Sequence, residues 1–306
     1  FHDISWRTML RQLQGVELRW LLPAIAADIF SYCCQGVRWR YLLKPAGKIS
    51  SLKATQAIYV GLFVNEILPM RVGELAAAFL AGRWLRLPIA QVLPSMLVGR
   101  LFDGVWLALA VAALLILVPL PSELKWAGDL FGLATAVGIA LFLLLLIPGV
   151  RKRLVGGESS ARDSGVLGTL RGWFADLVNG IHEIRGRGIL IPAAAASLGV
   201  LVFQTLAFWC VIAAYRLPVT VLAGVAVFLI VHLGTAIPNA PANVGSFQLF
   251  TVLGLGLFGI EKDLAAGFSA GVFLVLTVPL WLIGLFALSR TGLTLRGMRD
   301  QLRRGA

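Results

Sequence analysis

Residues 65–74 place Asn65, Glu66, Arg71 and Glu74, with Pro69 and Gly73, between the apolar runs Ala57–Val64 and Leu75–Ala81. A guanidinium forks onto phosphate or carboxylate oxygens, and neighbouring carboxylates can position it or receive a hydroxylated or cationic group. A second set is Arg100 and Asp103, three apart and so neighbours on one helix face. A third lies in the stretch 238–246, where Asn239, Asn243 and Ser246 sit among prolines and a glycine. Breaks of this kind expose unpaired backbone N–H and C=O groups and helix-end dipoles. The nine residues Asn65, Glu66, Arg71, Glu74, Arg100, Asp103, Asn239, Asn243 and Ser246 are therefore the candidate substrate-binding set. Gln204, His232 and Gln248 are secondary, since interhelical hydrogen bonding accounts for each.

The elements that must position these groups are membrane helices. The chain has 306 residues, 58% of them hydrophobic and only 14% charged, with a mean hydropathy of +0.86. A soluble domain carries about 25% charged residues. Long apolar runs at Val105–Leu120, Ala127–Ile147, Leu190–Ala214, Val219–Ile237 and Leu264–Leu288 give an all-α polytopic membrane protein. Strand-like alternation, the mark of a barrel, is missing from the sequence. The net charge of +12 comes from 27 Lys+Arg against 15 Asp+Glu. Those bases border apolar segments and form no single soluble face, which argues for topology and anionic lipid and against nucleic acid.

Each apolar run beside 65–74 is about 12 to 14 residues, roughly 18–21 Å of helix, too short for a hydrocarbon core of about 30 Å. The pair 55–82 is expected to enter the bilayer, turn at its polar tip and leave on the same side, with an ordinary cytoplasmic loop between short helices as the plain alternative. Basic residues on both flanks, Arg38, Arg40, Lys44, Lys48 and Lys53 before it and Arg83 and Arg86 after it, agree. Together with Trp39 and Tyr41, Arg38 and Arg40 read as an interface belt on the cytoplasmic side. Three ionisable groups at such a tip make a functional-site hypothesis by default.

Along the chain, 1–19 reads as an interfacial amphipathic helix or an extension of the first span. Span 20–37 carries Asp28, Ser31 and Gln35 on one face, which is expected to point into protein. Span 91–118 carries Arg100 and Asp103, for which a self-neutralising pair of structural worth is the plain alternative. Residues 126–147 return inward, and 166–184 suit a helix lying on the inner surface. The second half then runs 189–214, a broken pair 219–258 (or a full span at 219–236 with 247–259 spanning poorly), and 264–289, ending in a basic tail. The order of span, broken pair and span thus occurs twice with opposite sense, as two inverted units of a single transmembrane domain (1–125, a linking segment 126–188, and 189–306). Corresponding interruptions in two halves are the best sequence pointer to a transporter's midplane site. Cys33, Cys34 and Cys210 lack metal or disulfide spacing and read as small buried hydrophobes. No signal-peptide pattern is visible, and the start at Phe1 is read as an artificial or a processed boundary, with a further helix upstream as an expectation.

Three elements in order carry a family resemblance. The run Asn65 to Asp103, preceded by Arg38-Trp39-Arg40-Tyr41-Leu42-Leu43, resembles the flippase-like transmembrane domain of lysylphosphatidylglycerol synthases. Pro69, Arg71, Gly73 and Glu74 match its proline-arginine-glycine-acid element, and Arg100 with Asp103 and the break 238–246 follow in order. Gln248 stands where that pattern leads one to expect an acid, and no soluble aminoacyl-transferase domain is attached. The resemblance implies movement of an anionic or modified lipid, a phospholipid or polyprenyl-phosphate-linked lipid, between leaflets of the cell membrane; the basic tail after 264–289 places the C-terminus in the cytoplasm. Anionic lipid headgroups are the expected partners, with a second copy of the chain or a lipid-synthesis enzyme as the protein partners left open. No metal or cofactor is expected. The competing class is a membrane-embedded lipid-modifying enzyme or its non-catalytic partner, although metal-ligand spacing and a nucleophile elbow are missing from the sequence.

Overall fold

A computed structural model of the chain describes residues 15–68, 72–117, 188–235 and 241–292, with isolated helical positions at Leu133, Ala136, Val137, Ala140 and Leu144. Among the described residues the regular elements are helices: α1 (Leu18–Leu42), α2 (Ser51–Ile67), α3 (Gly73–Leu85), α4 (Ile89–Leu117), α5 (Leu190–Ala214), α6 (Val221–Gly234), α7 (Ser246–Gly256) and α8 (Lys262–Ser289). Four of them are long and apolar enough to cross a membrane: α1, α4 from Gln91, α5 and α8. These are the full spans expected at 20–37, 91–118, 189–214 and 264–289, and the protein is an all-α, multi-pass membrane protein. The expected amphipathic start at 1–14, the surface helix at 166–184 and the basic tail beyond Gly292 lie outside the described residues, as does all of the span 126–147 except its isolated positions.

The remaining helices are short. α2 has 17 residues, α3 has 13, α6 has 14 and α7 has 11. At 1.5 Å per residue they reach roughly 17–26 Å, less than the hydrocarbon thickness. Each pair folds back on itself. A Cβ built on Gly73 would fall 1.8 Å from the Gly61 carbonyl oxygen, and one on Gly61 would meet Ala77 at 3.0 Å. Backbones this close require glycine on both helices, the device by which membrane helices gain dispersion contact without a hydrophobic driving force. In the second pair, a Cβ on Gly234 would strike the Phe250 ring at 2.1 Å.

Contacts divide the chain into two units. The first comprises Phe1–Cys33, Thr55–Ala77 and Gly199–Ala306. Here the backbone N–H of Glu17 donates to the Ala214 carbonyl at 2.9 Å, and the Phe30 and Phe203 rings meet at 5.8 Å, so α1 and α5 run antiparallel. Arg216 and Arg19 both grip Glu17. The Arg216 hydrogen bond, and after it that of Arg19, holds this carboxyl below the usual range. α2 lies on α8: Gln56 Nε2 donates to the Ala287 carbonyl at 3.0 Å, and Gly284 admits Phe63 and the Tyr59 backbone. The second hairpin leans on the same helix through Phe247 and Phe273, 5.6 Å apart. Asp28 and Ser31 are buried, as their shared face predicts.

The second unit comprises Cys34–Ala54 and Ala78–Leu198. It corrects the reading of the belt. Arg38 and Trp39 are buried: the Trp39 indole donates to Ser95 Oγ at 2.9 Å, and Arg38 turns inward to a carboxylate. Arg40, Lys44, Lys48 and Lys53 are exposed as expected. The sequence reading failed at Arg38 because a base at the end of an apolar span looks the same whether it snorkels outward or pairs inward.

The close approach of α2 and α3 makes a stability prediction. Gly73→Ala must push the helices apart and costs about 1–3 kcal/mol of stability, as overpacking does. Gly104→Ala, where a Cβ would meet nothing within 4 Å among the described residues, is neutral or stabilising by about 0.5–1 kcal/mol, the helical gain of alanine over glycine. Unfolding midpoints in detergent for the two variants check this ordering.

Candidate functional site

α2 is interrupted after Ile67, and α3 begins at Gly73. Asn65 explains how the chain restarts so soon: its side-chain oxygen accepts the Gly73 N–H at 2.7 Å. That bond satisfies one of the donors a helix start leaves open, so Asn65 closes the turn. Glu74 follows in the first turn of α3, where a carboxylate is favoured by the positive helix end. Arg71 lies outside the described residues.

Glu66 points elsewhere. Tyr59, Phe63 and Glu66 recur at steps of four and three on the face of α2 that meets α8. The Glu66 carboxylate accepts a hydrogen bond from the Trp281 indole N–H at 3.1 Å. Both line an open groove of about 390 Å³ whose other walls are Phe63, Ile67, Leu282 and Leu285. Trp281 is eight residues before Ser289, the last residue of α8, which is about 12 Å of helix. The groove is thus apolar, faces outward, and has one carboxylate well inside the span. Further along the same face, the Tyr59 hydroxyl is buried with no hydrogen-bond partner among the described residues.

The second interruption is closed by its own side chains. Gln248 Oε1 accepts the Gly245 N–H at 2.7 Å, and Ser246 Oγ donates to the Asn243 carbonyl at 3.0 Å. Ala242, Asn243 and Gly245 adopt positive φ, a conformation that asparagine and glycine tolerate well. Asn239 lies outside the described residues. The His232 ring lies tilted against that of Phe228, with centroids 5.5 Å apart.

In the second unit the structure corrects the pairing of Asp103. Its main partner is Arg38: Nη1 donates to Oδ1, Nη2 to Oδ2 at 3.1 Å, and Nη1 also reaches Ser197 Oγ at 3.2 Å. Arg100 stands 3.9 Å from Asp103 Oδ2, with its side chain 51% exposed against 9% for Arg38. The three-residue neighbour is thus the outer partner, and the fork comes from a residue 65 positions away. Among the described residues no group of three or more His, Cys, Asp or Glu side chains converges to hold a metal ion. Arg38 and Trp281, which in their separate units bond the candidate acids Asp103 and Glu66, are the residues that the sequence reading left out of the candidate set. Only a buried-pair search for the lone acid of α4 would have found the first.

Removing one partner of a buried ion pair strands the other and costs about 3–5 kcal/mol, whereas replacing both is often neutral. Arg38→Met and Asp103→Leu are each expected to lose that much stability, and the double variant clearly less than their sum. A double-mutant cycle on thermal or denaturant unfolding checks it.

With this geometry in hand, comparison with known proteins adds one relation. The family model described as the lysylphosphatidylglycerol synthase TM region matches residues 1–284. No curated protein matches the chain, and no solved structure does. The match covers most of the sequence, including both interruptions and Asp103, and the chain belongs to the lysylphosphatidylglycerol synthase transmembrane-region family.

Proposed function

We propose that this protein moves an anionic or modified lipid, a phospholipid or a polyprenyl-phosphate-linked lipid, between the two leaflets of the cell membrane. The observation that carries the reading is the groove at the end of α2. It offers an apolar channel for chains and one indole-bonded carboxylate, Glu66, at the point where the helix breaks. A carboxylate at that depth is costly in hydrocarbon and is retained where it meets a polar substrate or water. Membership of a family named for a lipid-modifying synthase supports a lipid as that substrate.

In this mechanism each short hairpin is re-entrant, and the two repeat units are inverted, with the C-terminus in the cytoplasm. The headgroup enters at the interruptions while its chains stay in the bilayer. Arg71 takes the phosphate, and Glu66 and Glu74 orient that guanidinium or receive a hydroxylated or amine part. Asn239, Asn243 and Ser246 supply backbone and side-chain dipoles at the second interruption. Arg100, with Asp103 held by Arg38, is a separate anion anchor in its own unit. No cofactor takes part.

The test is headgroup translocation in proteoliposomes with a panel of labelled anionic lipids. Glu66→Gln, Arg71→Ala and Glu74→Ala are expected to slow it by about tenfold or more, as loss of a charged hydrogen bond worth about 1.5–3 kcal/mol implies. Trp281→Phe keeps the ring, drops the donor, and falls between these and wild type. Equal rates in all the proteins, each shown to be folded, contradict the proposal. Formation of a new lipid species from a soluble donor indicates an enzyme instead.

A further inference from the structure

Six exposed cations lie where three helix ends converge in the second unit: Arg40, Lys44, Lys48, Lys53, Arg83 and Arg86. Side-chain contacts tie the ends together. Arg40 Nη1 donates to Ser51 Oγ at 3.3 Å, joining the last turn of α1 to the start of α2. Lys53 Nζ sits 5.8 Å from the Trp84 ring centroid, joining the start of α2 to the end of α3. The connecting loop fills in beneath, with Gly47 against Leu85. Lys44 Nζ lies 4.7 Å from the Tyr41 ring centroid. The stretches 29–65 and 75–102 contain no Asp or Glu, and no described ion pair involves any of the six. Arg86 holds its place in a turn at φ 58, a left-handed conformation for a non-glycine residue.

We infer that this face is a docking surface for anionic phospholipid headgroups of the leaflet it meets, distinct from the translocation site and independent of translocation itself. Two observations favour a lipid over a soluble polyanion or an acidic protein. Arg40 lies in the last turn of a 25-residue span, so the cations stand at the level where headgroups begin. Two half-buried rings, Tyr41 and Trp84, lie among them, and amphipathic rings settle at that boundary. Clusters of four to eight bases beside a membrane helix act in this way on anionic lipids, each base adding to the attraction.

The experiment measures lipid preference at equilibrium in nanodiscs holding the full chain, with spin-labelled phosphatidylglycerol and phosphatidylcholine as probes. Wild type is expected to favour the anionic label. The combined variant Lys44→Gln, Lys53→Gln, Arg83→Gln, Arg86→Gln is expected to lose about fivefold or more of that preference, and about 0.5 M salt is expected to have the same effect on wild type. Lys44→Arg with Lys53→Arg keeps it, as does Arg19→Gln with Arg216→Gln, which removes charge from the other unit. An undiminished preference in the glutamine variant overturns the inference. So does an equal loss in the Arg19 and Arg216 variant, which reduces the effect to net charge. Displacement of the lipid label by inorganic polyphosphate assigns the surface to a soluble anion and overturns it too. No translocation is needed for the readout, so an inactive transporter leaves the result intact.

Discussion

Hydrocarbon solvates no charge, so each ionised or hydrogen-bonding group inside the span must find its partner in the protein or mark a place where water or substrate enters. The Arg38–Asp103 fork is where this constraint is met most completely. It joins α1 to α4, and the bond to Ser197 adds α5. Ser197 in turn donates to the Ala193 carbonyl at 2.9 Å, and the Trp106 indole donates to the Ala194 carbonyl at 3.0 Å. Three helices long enough to cross a membrane are thereby fixed in register by polar contacts, in a setting where apolar faces alone choose no particular partner. Arg38 is buried and Asp103 half-buried, and a pair of this kind adds little net stability while penalising arrangements that separate it.

The interruptions obey the same constraint differently. A broken helix frees backbone groups that hydrocarbon cannot satisfy, and side chains of the break absorb them: Asn65 for Gly73, Gln248 for Gly245. Several residues that look like substrate ligands in the sequence are thus engaged in holding the turns. The carboxylate of Glu66 differs, because its hydrogen-bond partner among the described residues is an indole on another helix and it borders open space. In the proposed function, structural and substrate-facing duties fall on adjacent residues, 65 and 66, whose side chains leave the helix about 100° apart.

Much of the architecture was legible in the sequence because hydropathy and length are nearly sufficient in a membrane. The full spans α1, α4, α5 and α8 and both short hairpins follow from how many apolar residues lie between polar ones. The glycines at 61 and 73 could be noticed, but their contact could not, since it depends on the turn geometry between them. Pairings across long separations were illegible for the same reason. Arg38 looked like a belt residue, and Asp103 already had a plausible neighbour in Arg100. Trp281 sits in an apolar run 215 residues from Glu66, and nothing in its local sequence distinguishes it from a lipid-facing ring. Periodicity reports which face a residue occupies; it carries no information on what that face meets.

The central claim is that the end of α2 opens to water and headgroups at depth within the bilayer, and access at position 66 tests it most directly. In a chain whose Cys33, Cys34 and Cys210 are replaced, single cysteines at 66 and at the lipid-facing Leu22 would be exposed to a membrane-impermeant thiol reagent in liposomes. The account predicts labelling at 66, protection there when anionic lipid replaces neutral lipid, and no labelling at 22. A position 66 that stays unlabelled in both lipids, in a folded protein, contradicts it.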